Sequence, residues 1–136
     1  MITNARAVPI IPVSNLEKGI EFYEGTLGLP LQERIESLPQ NREARFKVGQ
    51  TELGIYESVG AGQSKATLMS FEVDDIEETV EDMRSRGVRF EEYDMPNLKT
   101  EKGIATMGDE KGAWFKDPDG NILAVSQLVR KAAAVS

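Results

Sequence analysis

An internal repeat constrains this chain more than any other feature. Val13-Ser14-Asn15-Leu16-Glu17 closes an apolar stretch and opens a helical pattern, and Val73-Asp74-Asp75-Ile76-Glu77 repeats the same grammar. The correspondence holds along the helices, where Leu16, Ile20 and Tyr23 are answered by Ile76, Val80 and Met83. Two copies of one supersecondary unit in a chain of 136 residues predict a single pseudo-symmetric domain, with the cleft between the copies as its natural ligand site.

The first copy reads β-α-β-β-β over about residues 5–58. Val8 to Val13 is a short apolar strand, and Pro9 and Pro12 point to an edge position or to interrupted pairing. Ser14 and Glu17 have the spacing of a capping box, and Asp74 and Glu77 offer a close variant. The first helix carries Leu16, Ile20, Tyr23 and Leu27 on one face and stops near Gly28, with Pro30 forbidding continuation. Residues 45–48 and 51–56 alternate polar and apolar around Gly49-Gln50, a hairpin signature. Residues 59–65, with Gly60 and Gly62, read as a flexible connector.

The second copy covers about residues 66–128: a strand at 67–73, a helix at 75–86 ended by Gly87, a strand at 88–93, and strands near 112–116 and 121–127. Met95 to Glu110, with Pro96, Gly103 and Gly108, reads as an irregular insertion able to act as a flap. A surface tail is expected over residues 129–136, frayed or helical. In Asp117-Pro118-Asp119-Gly120-Asn121 the residue types belong to a tight turn: proline presets φ, glycine supplies positive φ, and aspartate bonds nearby backbone. The fold class is α+β, two paired β-α-β-β-β units forming a curved mixed sheet around a cleft.

Composition narrows the chemistry. The net charge is −7 and the basic residues are scattered, which excludes a nucleic-acid footprint. With no cysteine and no histidine there is no disulfide, no thiolate nucleophile and no sulfur or imidazole metal ligand. No stretch approaches the length of a membrane span and the amino terminus has no leader pattern, so a soluble cytoplasmic protein without membrane partners is expected.

The paired units, the helix entry followed by Glu21-Phe22-Tyr23 and Leu27-Gly28-Leu29, and Trp114-Phe115-Lys116-Asp117-Pro118-Asp119-Gly120-Asn121 together resemble the vicinal oxygen chelate superfamily. That group contains glyoxalase I, bleomycin resistance proteins, fosfomycin resistance enzymes and extradiol dioxygenases. The resemblance implies one such domain spanning the chain. It also implies a cleft where the metalloenzymes hold a divalent ion through His, Gln or Glu on the first and last strand of each unit. Here those positions fall at Val8, Gly54, Leu68 and Ala124, none of which can ligate. No metal or other cofactor is expected, and the two-histidine iron site of an extradiol dioxygenase is excluded.

The former metal centre is then expected to be apolar and small-walled. Strand alternation would turn Ile10, Pro12, Tyr56, Ser70 and Glu72 the same way, with Trp114, Phe115, Tyr56 and Tyr93 as the candidate stacking residues. The ligand-facing set is Val8, Ile10, Gly54, Tyr56, Leu68, Ser70, Glu72, Tyr93, Trp114 and Ala124. Trp114 and Phe115 lie on opposite faces of the final hairpin, and whether Trp114 is core or ligand surface stays open. Three readings follow. A binding protein of the bleomycin resistance type would sequester a small drug or metabolite. An enzyme of the same superfamily would use Glu72 or Tyr56 for acid/base work in an apolar pocket. A regulatory domain would bind another protein. Edge strands, uncovered apolar surface and the resemblance point to a homodimer.

Overall fold

The computed structural model describes residues 1–39 and 41–128, the side chains of residues 37 and 38 apart. The expected tail at 129–136 lies outside the described residues. The fold is α+β and the described residues separate into two compact units, Met1–Gln63 with Pro118–Asn121, and Ser64–Asp117 with Ile122–Leu128. Each unit holds one mixed sheet.

In the first unit, β1 (Ile10–Val13) leads into α1 (Leu16–Ile20), and β2 (Leu31–Leu38), β3 (Asn41–Val48) and β4 (Thr51–Glu57) follow. The sheet order is β1-β4-β3-β2, with β1 parallel to β4 and the remaining pairs antiparallel. Alternation sends Ile11, Val13, Ala44, Phe46, Leu53 and Ile55 into the core, where Leu16 and Tyr23 cover them and none is more than 2% exposed. Each such side chain contributes about 1.5 to 3 kcal/mol by burial. After Ile20 the helix widens into a π-type segment, Glu21–Thr26, and Gly28 at φ 80° ends it as expected.

The second unit repeats the plan with an addition. β5 (Thr67–Glu72) and α2 (Ile76–Ser85) are followed by β6 (Asp94–Met95), β7 (Leu98–Glu101), β8 (Ile104–Met107), β9 (Glu110–Lys116) and β10 (Ile122–Leu128). The sheet order is β5-β10-β9-β8-β7-β6, and β5 is parallel to β10 as β1 is to β4. Leu123, Val125, Phe115 and Ala113 are fully buried, with Ile76 and Val80 buried on α2. The Phe115 ring meets Phe71 at 6.5 Å and Phe90 at 5.7 Å.

Three expectations are corrected. Residues 95–110 form a narrow antiparallel meander of β6, β7 and β8 rather than an irregular flap. The strand expected at 88–93 reduces to one bridge, Phe90 to Phe115. Both helix caps lie one residue later than the sequence pattern placed them. Asn15 accepts the Lys18 N–H at 2.9 Å and Asp75 accepts the Glu78 N–H at 3.0 Å, while the Ser14 N–H donates to Asp119. The repeat extends to the first helical amide of each unit. The Leu16 N–H donates to Glu57 and the Ile76 N–H to Gln127, each at 2.7 Å, so the last strand of each unit anchors its own helix.

Glu57 also accepts from Arg42, which reaches Glu17 and Glu36 as well, and Arg34 pairs with the same two glutamates. The Arg42 hydrogen bond holds the Glu17 carboxyl below its ordinary value of 4.5, and Arg34 does the same to Glu36. Carboxyls depressed in the folded state contribute stability above their unfolded value and lose it as pH falls through the folded value. The thermal unfolding midpoint is therefore expected to hold down to about pH 5 and to decline below it, with a shallower decline in high salt and in Glu17→Gln. A midpoint that rises on acidification would contradict this account.

Candidate functional site

On β9 two neighbouring aromatics part ways. Phe115 enters the core, whereas Trp114 is half-buried on the opposite sheet face and is not among the buried core side chains. The Tyr93 ring stands against the indole edge-to-face, 5.7 Å between centroids and 74° between planes. Gly112, two residues back on the same face, gives the indole room. A Cβ there would lie 3.2 Å from Trp114 Cη2 and 3.2 Å from Met107 Cε, so the ring and the thioether rest over bare backbone.

Beside this aromatic shelf lies a row of small side chains. Ala124 is opposite Trp114 and Ser126 opposite Gly112, and on the next strand Ser70 is opposite Ala124 and Glu72 opposite Ser126. The Ser70 and Ser126 hydroxyls satisfy each other at 2.8 Å, leaving Ser126 buried without an orphan polar group. Leu68, Ser70 and Glu72 alternate as the exposed side of β5. Burial, and then the charge of Glu91, raises the Tyr93 phenol above its ordinary 10.0, so Tyr93 is a neutral hydroxyl at physiological pH. A flat aromatic surface with a small-residue floor and a carboxylate at its far strand is suited to holding a planar, partly apolar molecule.

The first unit's half of the expected set is laid out differently. Ile10 is opposite Gly54 and Pro12 opposite Tyr56, so these four share a face, with Val8 half-buried ahead of β1. Ile10 and Tyr56 are 44% and 40% exposed. The small apolar floor expected at Gly54 is absent. Arg45, opposite Gly54, carries its guanidinium across the glycine, where a Cβ would lie 3.2 Å from both Cδ and Nε. Arg45 pairs with Glu43 and, at 3.0 Å, with Glu52, and those carboxylates raise its pKa, Glu43 most. A long side chain from the neighbouring strand thus fills the space that glycine vacates. A pocket of about 390 Å³ in this unit is lined by Ser14, Glu57, Ser58 and Val59. Two of its polar groups are already engaged: Glu57 holds the start of α1 and pairs with Arg42, and the Ser58 hydroxyl accepts the Gly60 N–H.

The superfamily's metal does not fit these residues. Val8, Gly54, Leu68 and Ala124 offer no donor atom, and the carboxylates nearest Gly54 are turned to Arg45. Among the described residues no three acidic side chains converge as a metal site would require. No helix among them is long and apolar enough to cross a membrane.

A profile of the Glyoxalase/Bleomycin resistance protein/Dioxygenase superfamily matches residues 6–125. The chain belongs to that superfamily. A relative within curated sequences, the uncharacterized protein YraH of Bacillus subtilis (strain 168), is 27% identical over 132 residues, covering 86% of this chain and 93% of its own. Among solved structures, a glyoxalase family protein from Bacillus anthracis superposes with a TM-score of 0.70 at 19% identity, covering 92% of this chain and 95% of that one. TnmS3, an antibiotic binding protein from Streptomyces sp. CB03234, superposes with a TM-score of 0.66 at 20% identity, covering 94% and 98%. Likeness at this identity shows the glyoxalase-type fold, and one such fold carries many activities. Within the superfamily, sequence patterning pointed to Tyr93, Trp114, Ala124 and Ser70, and the structure brings these four onto one face. It did not point to Met107 or Arg45; Gly112, a glycine inside a strand, was the available signal for a side chain lying across the backbone.

Proposed function

We propose that this chain is a metal-independent small-molecule binding protein that holds a flat, partly apolar drug or metabolite against the Trp114 shelf. The observation that carries the reading is the indole itself: only partly buried, laid over Gly112, and braced by Tyr93 and Met107 on the sheet face opposite the core. Aromatic side chains with an accessible face stack planar ligands, and the adjacent Ala124 and the Ser70–Ser126 pair add a surface without bulk. The antibiotic-binding role of TnmS3 is in keeping with this reading. The enzyme reading is weaker because Glu72 and Tyr56 are both exposed and neither sits in an enclosed apolar pocket.

Trp114 is the chain's one tryptophan, so its fluorescence reports on the shelf alone. Titration with naphthalene, acridine and flavone derivatives is expected to quench that emission saturably, raise the unfolding temperature and return the ligand unchanged. Turnover of any of them, or stabilisation without a change in Trp114 emission, would count against the proposal. We also propose a homodimer, since Ile10, Tyr56, Leu68 and Leu128 leave apolar surface exposed. Light scattering at micromolar concentration should return twice the chain mass, and a monomeric mass would refute it.

A further inference from the structure

The β7–β8 hairpin, whose β8 carries Met107, is fastened at its turn by a residue of α2. Arg84 donates from Nη2 to the Lys102 carbonyl at 2.6 Å, and its guanidinium lies 5.6 Å from the Phe90 ring centroid. At the next residue the backbone passes so close that a Cβ on Gly103 would meet Arg84 Nη2 at 2.8 Å and Phe90 Cβ at 3.1 Å. The turn is left-handed at both positions, with φ 54° at Lys102 and 82° at Gly103, so it does not hold its place by intrinsic preference at Lys102. From that turn, one arm returns along β7 to Thr100, which takes the Tyr93 N–H on its hydroxyl at 2.8 Å and donates its own N–H to the Tyr93 carbonyl at 2.8 Å. The other arm runs along β8 to Met107, whose methyl lies beside the indole over Gly112. Both braces of Trp114 are thus carried on the hairpin that Arg84 pins.

We propose that Arg84 is the positioning residue of the shelf: by clamping the 102–103 turn onto Phe90 it fixes Tyr93 and Met107 against Trp114. The importance of this for ligand capture rests on the shelf being the binding surface, but the geometry is testable with no ligand present. The emission maximum and acrylamide quenching of Trp114 are the readout, with circular dichroism to confirm folding. In Arg84→Ala the emission should shift to longer wavelength and quenching should increase, and Thr100→Val should move both the same way, by a smaller amount, because it removes the hydroxyl that takes the Tyr93 N–H and leaves the backbone bond. Arg84→Lys, which keeps one donor for the Lys102 carbonyl, should restore part of the parent signal. Arg86→Ala removes an ion pair with Asp82 confined to the same helix, and Val80→Ala loosens the buried face of α2. Both should leave the emission as in the parent. A parent-like spectrum in Arg84→Ala, or a shift of equal size in Val80→Ala, overturns the proposal. Should Arg84→Ala fail to fold, Thr100→Val decides it, and a parent-like spectrum there overturns the proposal. Failure to find a ligand would count against the binding reading and leave this result standing.

Discussion

Gly62→Ala is expected to destabilise the protein more than any other single methyl group added to it. Gly62 sits at φ 72°, and a Cβ there would lie 2.1 Å from the Asp119 carbonyl oxygen and 3.2 Å from its carbon. Both obstacles are backbone, so no rotamer change relieves them. The left-handed conformation alone costs a residue with a Cβ roughly 1 to 2 kcal/mol. Moving the 118–121 turn away also breaks the hydrogen bond from Gly62 N–H to Asn121 Oδ1 at 3.0 Å and the one from Asn121 Nδ2 to the Pro12 carbonyl at 2.7 Å. Asn121 is 1% exposed, and each buried group left unpaired costs about 1 to 3 kcal/mol. The sum, roughly 3 to 8 kcal/mol, is a large share of the 5 to 15 kcal/mol typical of a domain. Asn121→Ala should lose a comparable amount through the two hydrogen bonds alone, and the double variant should lose much less than the sum because both break one joint. Denaturant unfolding of the three variants measures this directly. A Gly62→Ala protein within 1 kcal/mol of the parent, or additive losses, would show that the joint is not what holds the turn.

That joint marks the boundary of what residue order discloses. Asp117 to Asn121 reads as a turn from its residue types, and it is one, but nothing in those types says that the asparagine amide reaches back to Pro12 and Gly62. The connector looked flexible because glycine permits many conformations. Here Gly62 is required for one of them. The repeat, the helices and the strand pairs β3–β4 and β9–β10 were legible because apolar side chains recur at the periods of helix and strand. Caps were misplaced by one residue because each helix is preceded by two adjacent polar residues, Ser14-Asn15 and Asp74-Asp75, and pattern alone does not choose between them. The meander at 94–107 escaped because its strands run two to four residues between proline and glycine. Alternation fixed the strand faces of Gly54 and Trp114 but not what covers the first, since it says where a side chain starts and not how far a neighbour such as Arg45 extends.

Removing the Trp114 ring should leave a folded protein that binds its planar ligands poorly. Trp114 is only partly buried, on the face opposite the core, so Trp114→Ala deletes mainly surface contacts, unlike Phe115→Ala, which would open a core cavity at a cost of roughly 3 to 5 kcal/mol. The lost stacking is worth about 1 to 3 kcal/mol of affinity, or roughly 5- to 150-fold in Kd. Trp114→Phe should recover part of that, because a smaller ring still offers a face. Gly112→Val separates ring from placement: it keeps the indole but puts side-chain atoms where Trp114 Cη2 and Met107 Cε now lie, lifting the shelf from the strand. Its affinity should fall toward that of Trp114→Ala while the indole remains available as a fluorescent reporter. Isothermal titration with whichever planar compound quenches the parent measures all three, with thermal unfolding run alongside. A folded Trp114→Ala that keeps parental affinity would place the ligand elsewhere, and an unfolded one would return Trp114 to the core; the partly buried indole over a bare glycine argues for neither.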